Sequence, residues 1–534
     1  MEKRNFDTRI CLAFCLVVTL FFTCILRIFT INNAGYTEAS QQTNSYTLEL
    51  SRLRGTIFDC NMRPITNTQT KTVAVFLPNE SAVSAAISVL SDEAKSNVLS
   101  SLKNGIPKFA EIEHPIDHYG VYCTEVYVGT PETLLSPQLI GYLDSDGHGV
   151  TGIQKAFDDI LFSEEKHTVA IDIDGLGNIL PGGETTEIFN ENVINSGIKL
   201  TIDSDIQEVT LKAMQNVKCG AAVVSEIGTG KIKAMVSMPE FNPTKVSDYL
   251  EDSDSPLINR ALRAYNVGSV FKPSVAAAAI ESGNAQVEYT CSGLAKFSGH
   301  TFRCHSLAGH GKIGIKDALA YSCNVFFYNV SVLLGADNVY NMASSLGFNS
   351  GYEICSGISC SASMPDLSAL KASDSALVNL SIGQGSLLLS PVSILSLYEA
   401  IANNGIYYPQ TIIEGVVSNG ATTRHPTSVP TRAMFKETAN KIKEQLKAVL
   451  EYGTGKSAMP TLTSAAGKTA TAETGWIKNG KKIENSWFCG FFPQENPKYV
   501  VSVLIENSMG GDDIAAPVFS KIADSITTLE NSKK

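Results

Sequence analysis

The sequence predicts an α+β protein in which helices cover one antiparallel sheet, carried behind a single N-terminal transmembrane helix. Three observations lead to this prediction: an uncharged apolar run near the N-terminus, pairs of apolar strands both in the middle and near the end of the chain, and a mainly helical region between those pairs. Strands that flank a helical region pair most simply in one sheet with the helices packed on it.

Composition limits the class of protein. The chain has 534 residues, which suggests about two to four domains. Hydrophobic residues make up 44% and charged residues 18%, as in a folded protein with a sizeable core. The formal net charge of −11 gives no basic excess. A nucleic-acid-binding protein is therefore excluded, because such proteins need a basic surface.

The apolar run begins at Ile10 and contains no charge up to Leu26. Extended to Ile31, it is long enough to cross a bilayer core of about 30 Å. Basic residues precede the run: Lys3, Arg4 and Arg9. By the positive-inside rule, residues 1–9 form a cytoplasmic tail, residues 10–31 an anchor in the cell membrane, and the rest of the chain lies outside the cell.

Two other interpretations of this run are weaker. A cleaved signal peptide needs a cleavage site with small residues, and the bulky sequence RIF follows at residues 27–29. A buried globular helix does not explain why basic residues cluster only at the start. No later segment is long and apolar enough to span a membrane, so the sequence predicts a single-pass protein.

The segments after the anchor differ in composition. Residues 32–48 are rich in Asn, Thr, Ser and Gln and predict a stalk. From 49 to 195, short strands such as 72–77 and 121–128 alternate with helical stretches such as 82–99. A second domain is predicted from 196 to 534.

The second domain opens with a strand and a helix over 204–217, capped by Asp203 or Ser204. A hairpin follows, with strands at 221–225 and 231–237 joined through glycine. Strands at 484–492 and 499–505 form a second pair, and 438–451 is helical. This order of elements is what predicts the single covered sheet.

The first of three short motifs is SVFK at residues 269–272, followed by a helical run at 274–281. One helical turn places Ser269 and Lys272 on the same face. A serine hydroxyl is a weak nucleophile that needs a base, and an enclosed lysine has a lowered pKa and serves as one. Alone, the motif is as well explained by a capped helix with a surface lysine.

The second and third motifs are SCN at residues 322–324 and AGKTATAE at residues 466–473. Ser322 and Asn324 lie between apolar residues, where a hydroxyl and an amide need partners. Lys468 and Thr469 lie on a strand of small residues, suited to the edge of a cleft that binds an anionic group. Each motif alone is also compatible with a purely structural role, but all three in this order are rarely a coincidence.

With these motifs the sequence resembles the class B penicillin-binding proteins, which are monofunctional peptidoglycan transpeptidases with a serine β-lactamase-like catalytic domain. Further segments resemble the family: RGTIFDCN at 54–61, IGY at 140–142, GVTGI at 149–153, LTID at 200–203, IGQG at 382–385 and WFCGFFP at 487–493. The resemblance implies that 49–195 is an elongated, dimerisation-type pedestal domain and that 196–534 is the penicillin-binding domain.

The resemblance also implies roles for the motif residues. Ser269 attacks the penultimate D-Ala carbonyl of a stem peptide, Lys272 takes its proton, and Ser322 relays a proton to the departing D-Ala. Asn324 positions the peptide and the lysine, while Lys468 and Thr469 bind the terminal carboxylate. The backbone N–H groups of Ser269 and Thr471 form the oxyanion hole. A β-lactam acylates Ser269, and no metal or other cofactor is required.

Four residues depart from the family pattern. Ala470 replaces the usual glycine of the third motif, which is expected to narrow the cleft beside the serine. Val267 replaces a frequent proline, Cys60 a frequent arginine, and Gln154 a frequent glutamate. An active enzyme is still the expectation.

The resemblance leaves three rival functions open. They are a serine β-lactamase or β-lactam sensor, a carboxypeptidase that releases D-Ala to water, and an inactive scaffold. A polytopic glycosyltransferase of the elongation, division or sporulation machinery is the partner that the resemblance implies.

Twelve cysteines are too few for a disulfide scaffold of this length. There is no CxxC, and Cys304 with His305 has no second pair at zinc-finger spacing, so no structural metal site is expected. In an exported protein, Cys291 with Cys304 and Cys355 with Cys360 are the closest candidates for disulfides. The alternative is that all of them are small buried thiols.

Overall fold

The computed structural model describes residues 2–33, 45–174, 178–180, 182–426, 428–478, 480–508 and 514–533. The N-terminal helix runs over Glu2–Asn33. Its segment Ile10–Thr30 has a mean hydropathy of 2.5 and none of it is buried, as a membrane-spanning helix requires. Among the described residues, this is the one helix with the length and composition to cross a membrane.

The rest of the chain forms two compact units that alternate along the sequence. The smaller unit includes residues 70–127 and 164–190 together with the chain up to residue 52, and the larger unit consists of residues 53–69, 128–163 and 191–534. Parts of the predicted pedestal, 53–69 and 128–163, thus pack with the larger unit. The domain boundary predicted at 195 remains a proposal.

The smaller unit contains two three-stranded sheets and two helices. One sheet has the strand order Ser45–Arg54, Phe162–Asp172, Thr185–Ile188, and the other the order Lys108–Glu111, Gln69–Phe76, Val121–Val128. The helical stretch predicted at 82–99 forms two helices, Glu80–Val89 and Asp92–Lys103. The helix breaks there because Leu90 adopts extended backbone angles.

The larger unit is built on a five-stranded antiparallel sheet, named here the central sheet. Its strand order is Lys231–Met238, Gly220–Glu226, Tyr499–Ser508, Lys481–Phe492, Ala466–Lys478. Both predicted strand pairs are present in it, so the expected single sheet is confirmed. Ala466–Lys478, named the edge strand, has a neighbour in this sheet on one side.

Two smaller sheets and three two-stranded ribbons complete the described strands of the larger unit. Their strands are Thr56–Phe58, Gly197–Leu200, Ile413–Ser418 and Ala421–Arg424; Glu288–Cys291 and Gly311–Gly314; Leu294–Phe297 and His300–Arg303; Ser350–Cys355, Ile358–Ser363 and Leu388–Leu389; and Ile406–Tyr407 with Thr431–Arg432.

The larger unit also contains the following helices among its described residues. They are Pro137–Ile140, Gly152–Ala156, Asp158–Leu161, Glu191–Ile194, Ser204–Met214, Lys272–Glu281, Ile315–Ala320, Asn324–Ser345, Leu367–Ala372, Asp374–Ser381, Leu395–Ala402, Lys436–Glu451 and Ala515–Ser532. Short 3₁₀ turns lie at Val246–Tyr249, Gly268–Phe271 and Lys456–Ala458. As predicted, Asp203 caps the helix Ser204–Met214, accepting a hydrogen bond from the backbone of Asp205.

The helix Lys272–Glu281, named the buried helix, lies in the middle of the core. Eight of its ten residues are buried, among them four consecutive alanines at 276–279. Small side chains let other helices approach closely, so the buried helix is enclosed on all sides. This enclosure is what removes Lys272, at its N-terminus, from solvent.

Candidate active site

Ser269 lies in the 3₁₀ turn Gly268–Phe271, directly before the buried helix. Gly268 has φ +60°, and a Cβ atom placed on it would lie 3.2 Å from the Cβ of Ala472 on the edge strand. The Gly268 backbone N–H donates to the carbonyl of Gly383 at 2.9 Å. This turn therefore packs closely against the edge strand. The close packing is possible because residue 268 has no side chain.

Lys272 is completely buried and has three acceptors close to its ammonium group. Nζ donates to Asn324 Oδ1 at 2.7 Å, to the Ser322 carbonyl at 2.7 Å and to Ser322 Oγ at 3.2 Å. Burial lowers the pKa of Lys272 to about 7, outweighing the Coulombic effect of Cys323 and Cys304, which raises it. A lysine with such a pKa is partly neutral near pH 7 and can accept a proton.

The SCN motif joins two helices at a strained turn. Ser322 has φ +53°, a backbone conformation that non-glycine residues seldom adopt. Cys323 follows as the N-cap of the long helix Asn324–Ser345, and its Sγ accepts from the Phe326 N–H at 3.4 Å. Asn324 begins that helix. The turn directs Ser322 and Asn324 toward the same lysine, which is the geometry that a proton relay requires.

Lys468 and Thr469 lie on the edge strand, where both are buried. Lys468 Nζ donates to the Thr469 carbonyl at 3.0 Å. The hydroxyl of Thr469 lies 2.7 Å from that of Thr454, which follows the helix Lys436–Glu451. Thr471 is exposed on the same strand.

A cleft of about 550 Å³ connects the three motifs. Five of the seven residues predicted for the site line it, together with Ala470: Ser269, Ser322, Asn324, Thr469 and Thr471. Lys272 contacts two of them from beneath, and Lys468 is adjacent to Thr469. Three distant segments of the sequence thus form one polar cleft over a buried lysine.

Several cleft residues were not found from the sequence. They are Arg303, Cys304, His305, Thr454, Glu473 and Glu484. Thr454 belongs to the segment GTG at 453–455, which follows the helix Lys436–Glu451. Glu473 ends the third motif without having been assigned a role. Arg303, Cys304, His305 and Glu484 lie where no local pattern marks a residue as part of a site.

The chain is similar in sequence to a known family of proteins. The family model described as "Penicillin binding protein transpeptidase domain" matches residues 220–524. The curated relatives include PbpB of Mycobacterium tuberculosis, 28% identical over 75% of this chain, and stage V sporulation protein D of Bacillus subtilis, 27% identical over 78%. These matches span 62% and 66% of the two relatives' own lengths, less than two thirds of each.

Solved structures have the same fold. The D,D-transpeptidase domain of a peptidoglycan glycosyltransferase from Eggerthella lenta superposes with a TM-score of 0.65 at 23% identity, covering 90% of this chain and 99% of that one. Penicillin-binding protein 3 of Mycobacterium tuberculosis, complexed with aztreonam, gives 0.65 at 23% identity over 91% and 97%. At this identity the likeness establishes the fold alone.

Proposed function

Because this chain belongs to the family of penicillin-binding protein transpeptidase domains, we propose that it is a membrane-anchored peptidoglycan D,D-transpeptidase acting through a serine acyl-enzyme. The observation that carries the proposal is the environment of Lys272, completely buried and hydrogen-bonded to Ser322 and Asn324. Burial of a charged ammonium group is costly, which favours the neutral amine and lowers the pKa of Lys272 to about 7. The site therefore supplies a base near neutral pH.

In the first half-reaction, Ser269 attacks the penultimate D-Ala carbonyl of a donor stem peptide while Lys272 accepts the hydroxyl proton. Ser322, 3.2 Å from Lys272 Nζ, passes a proton to the nitrogen of the departing D-Ala. The backbone N–H groups of Ser269 and Thr471 stabilise the oxyanion. Asn324 orients the lysine toward the cleft, because its Oδ1 accepts a hydrogen bond from Lys272 Nζ at 2.7 Å.

In the second half-reaction, the amine of a neighbouring stem peptide attacks the acyl carbonyl, the ester bond to Ser269 Oγ breaks, and a proton from the amine returns to the serine as the cross-link forms.

Before acylation, Lys468 and Thr469 bind the terminal carboxylate of the donor, which places the scissile carbonyl at the serine. The hydroxyl pair of Thr454 and Thr469 supports this assignment, because it fixes the orientation of the Thr469 side chain at the cleft wall. A β-lactam offers the same carboxylate and carbonyl, and leaves Ser269 acylated.

The apolar helix Ile10–Thr30 supports a single-pass anchor. With the basic residues before it, we expect a cytoplasmic N-terminus and an extracytoplasmic cleft. The partner that the family resemblance implies is a polytopic glycosyltransferase of elongation, division or sporulation, bound through the anchor and pedestal.

The test is a time course of labelling by a fluorescent penicillin, with the full chain in detergent. We expect a stable label on the wild type, no label on Ser269→Ala, and normal labelling of Ser274→Ala. Ser274 is the matched control, a buried serine of the adjoining helix whose hydroxyl donates to the Phe271 carbonyl at 2.8 Å. Label on Ser269→Ala would contradict the proposal.

The same time course separates the rivals. A β-lactamase would release the label within seconds, and an inactive scaffold would not be labelled through Ser269. A carboxypeptidase would be labelled but would release D-Ala from a stem peptide at a rate independent of an added amine acceptor. The transpeptidase predicts that the acceptor diverts the acyl group into a cross-linked product.

A further inference from the structure

Four potential metal ligands meet behind the SCN motif. They are Cys291, Cys304, His310 and Cys323, here named the Cys3His cluster, and their donor atoms all lie within 4.8 Å of one another. The three cysteines are buried and His310 is partly buried. All twelve cysteines of the chain are free thiols, so none of the three is in a disulfide.

The distances in the cluster match a tetrahedral site. Cys304 Sγ lies 4.0 Å from Cys323 Sγ and 3.6 Å from His310 Nδ1. A zinc ion with Zn–S of about 2.3 Å and Zn–N of about 2.0 Å sets its ligand atoms about 3.5 to 3.8 Å apart. All other donor pairs lie within 4.8 Å, so side-chain movements of at most about 1 Å would close the cluster around one ion.

The loops around the cluster are built to hold the ligands together. Cys291 and Gly311 are paired across a two-stranded ribbon, and the His310 N–H donates to the Cys291 carbonyl at 3.0 Å. Gly309 has φ +80°, and a Cβ there would lie 2.2 Å from that carbonyl. The close turn that carries His310 over Cys291 thus requires glycine.

Residues around the cluster contact its ligands in the way that residues around a metal site do. The Phe326 N–H donates to Cys323 Sγ, and the His310 ring stacks on Tyr321 with centroids 5.9 Å apart and planes 13° apart. Such contacts orient ligands and stabilise thiolate charge. Packing as ordinary small hydrophobic residues would explain three buried cysteines, but it would not bring a histidine nitrogen to 3.6 Å from a sulfur.

We propose that Cys291, Cys304, His310 and Cys323 bind one structural zinc ion, or a cation of similar softness, that holds the SCN turn of the active site. Three thiolates and one imidazole form a closed tetrahedral set of the kind that zinc prefers. Cys323 stands between Ser322 and Asn324, so the ion would fix the two groups that contact Lys272. Disulfide formation cannot satisfy the cluster, since any pair leaves a third thiol.

The first measurement is the zinc content of the full chain, purified in detergent, incubated with Zn²⁺ and freed of excess, by plasma mass spectrometry. We expect about one zinc per chain in the wild type, loss in Cys291→Ser and His310→Gln, and retention in Cys360→Ser. Cys360 is a buried free cysteine outside the cluster and serves as the matched control. Wild-type protein without bound zinc would overturn the proposal, as would equal loss in the control.

Co²⁺ provides a readout that does not depend on the folding of variants. Wild-type protein loaded with Co²⁺ should show thiolate-to-cobalt charge-transfer absorption and the intense d–d bands of tetrahedral cobalt. Octahedral cobalt spectra would contradict the site. An intact mass lower by two hydrogen atoms, with a Cys304–Cys323 disulfide and no metal, would contradict it as well.

The positioning role has a separate test. Removal of the metal by a chelator should slow penicillin acylation by about 10-fold or more, and Zn²⁺ should restore the rate. An unchanged rate would overturn the positioning role. Ser269→Ala should lose acylation yet retain zinc, so failure of this proposal and failure of the proposed transpeptidase are distinguishable.

Discussion

Lys272 combines complete burial with hydrogen bonds to three oxygen acceptors, none of which is a carboxylate. Burial favours the neutral amine, whereas the acceptors position it without adding a full negative charge. The result is a base available at neutral pH. A substitution that exposes Lys272 to solvent, or that replaces one of its acceptors, should therefore change the pH dependence of acylation.

The first prediction concerns pH. With a pKa of about 7, Lys272 is mostly protonated and unable to act as a base below that pH, and mostly neutral above it. We expect the acylation rate constant to rise about tenfold between pH 6 and pH 8, as the neutral fraction does. Stopped-flow measurement with a chromogenic β-lactam would check this. A flat profile over this range would contradict the role of Lys272 as the base.

The second prediction concerns Asn324. Its Oδ1 accepts from Lys272 at 2.7 Å, so Asn324→Asp would place a carboxylate beside the ammonium. An adjacent opposite charge raises a lysine pKa by about 1 to 3 units. We expect the acylation profile of Asn324→Asp to move to higher pH by that amount. Asn324→Ala, as the control, should lower the rate without this shift.

At the scale of elements, the site depends on the contact between the Gly268 turn and the edge strand. Gly268→Ala would place a methyl group at φ +60° and 3.2 Å from the Ala472 Cβ. We expect loss of acylation and a fall of about 1–2 kcal/mol in the free energy of unfolding. Gly283, at φ +79° with nothing within 4 Å of a built Cβ, is the matched control.

Gly283→Ala should share the backbone strain and the loss of stability while retaining acylation, because it lies at the other end of the buried helix. Acylation by Gly268→Ala at the rate of Gly283→Ala would contradict the importance of this contact. Thermal unfolding and penicillin labelling of the two variants provide the comparison.

A further prediction at this scale concerns Ala470. It lines the cleft, and a Cβ on Gly268 would lie 3.4 Å from its methyl group. This supports the expectation that the methyl narrows the cleft beside Ser269. Ala470→Gly should therefore accelerate acylation by β-lactams with bulky side chains more than acylation by small ones. Equal effects on both, measured as second-order rate constants, would show that the methyl does not restrict access.

At the scale of the whole molecule, Arg54 ties an early segment into the larger unit. It is 6% exposed and donates to Gln154 Oε1 at 2.8 Å, to the Gly147 carbonyl at 2.9 Å and to Asp158 Oδ1 at 2.8 Å. Gln154, noted as a departure from the family pattern, thus keeps a hydrogen bond to Arg54 without adding charge.

Arg54→Met should lower the free energy of unfolding by about 1–2 kcal/mol, because it leaves the Gln154 and Gly147 acceptors without their donor, while Asp158 keeps its contacts with His148 and the Gly149 N–H. Arg263→Met is the control, since Arg263 is exposed in the same unit. Thermal unfolding in one detergent would measure both. A shift no larger than that of the control would contradict the role of Arg54 as a tie between segments.

Much of this molecule could be predicted from its sequence. Alternation and glycine turns identified the strands of the central sheet, and motif order identified residues from three segments that meet in one cleft. The break at Leu90 was missed, although Ser91 followed by the acidic Asp92 and Glu93 is the sequence pattern of a new helix N-terminus. Thr454 and the Cys3His cluster were missed because their residues are distant in sequence from the groups they contact. Only the tertiary fold brings these residues together.

The absence of CxxC argued against a metal, but that argument covers only sites built on local pairs. Here Cys291 ends one strand of a ribbon, Cys304 and His310 lie in the loop before the other strand, and Cys323 caps a helix. Disulfides Cys291–Cys304 and Cys355–Cys360, left open from the sequence, are not formed, and all four residues are free thiols.

The most direct test of the central claim is mass spectrometry of the full chain after reaction with a β-lactam, followed by peptide mapping of the adduct. Activation of one hydroxyl over a buried lysine predicts a single adduct, on Ser269, that is lost when Lys272 is replaced by methionine. An adduct on any other residue, or an undiminished adduct on Ser269 in Lys272→Met, would contradict it.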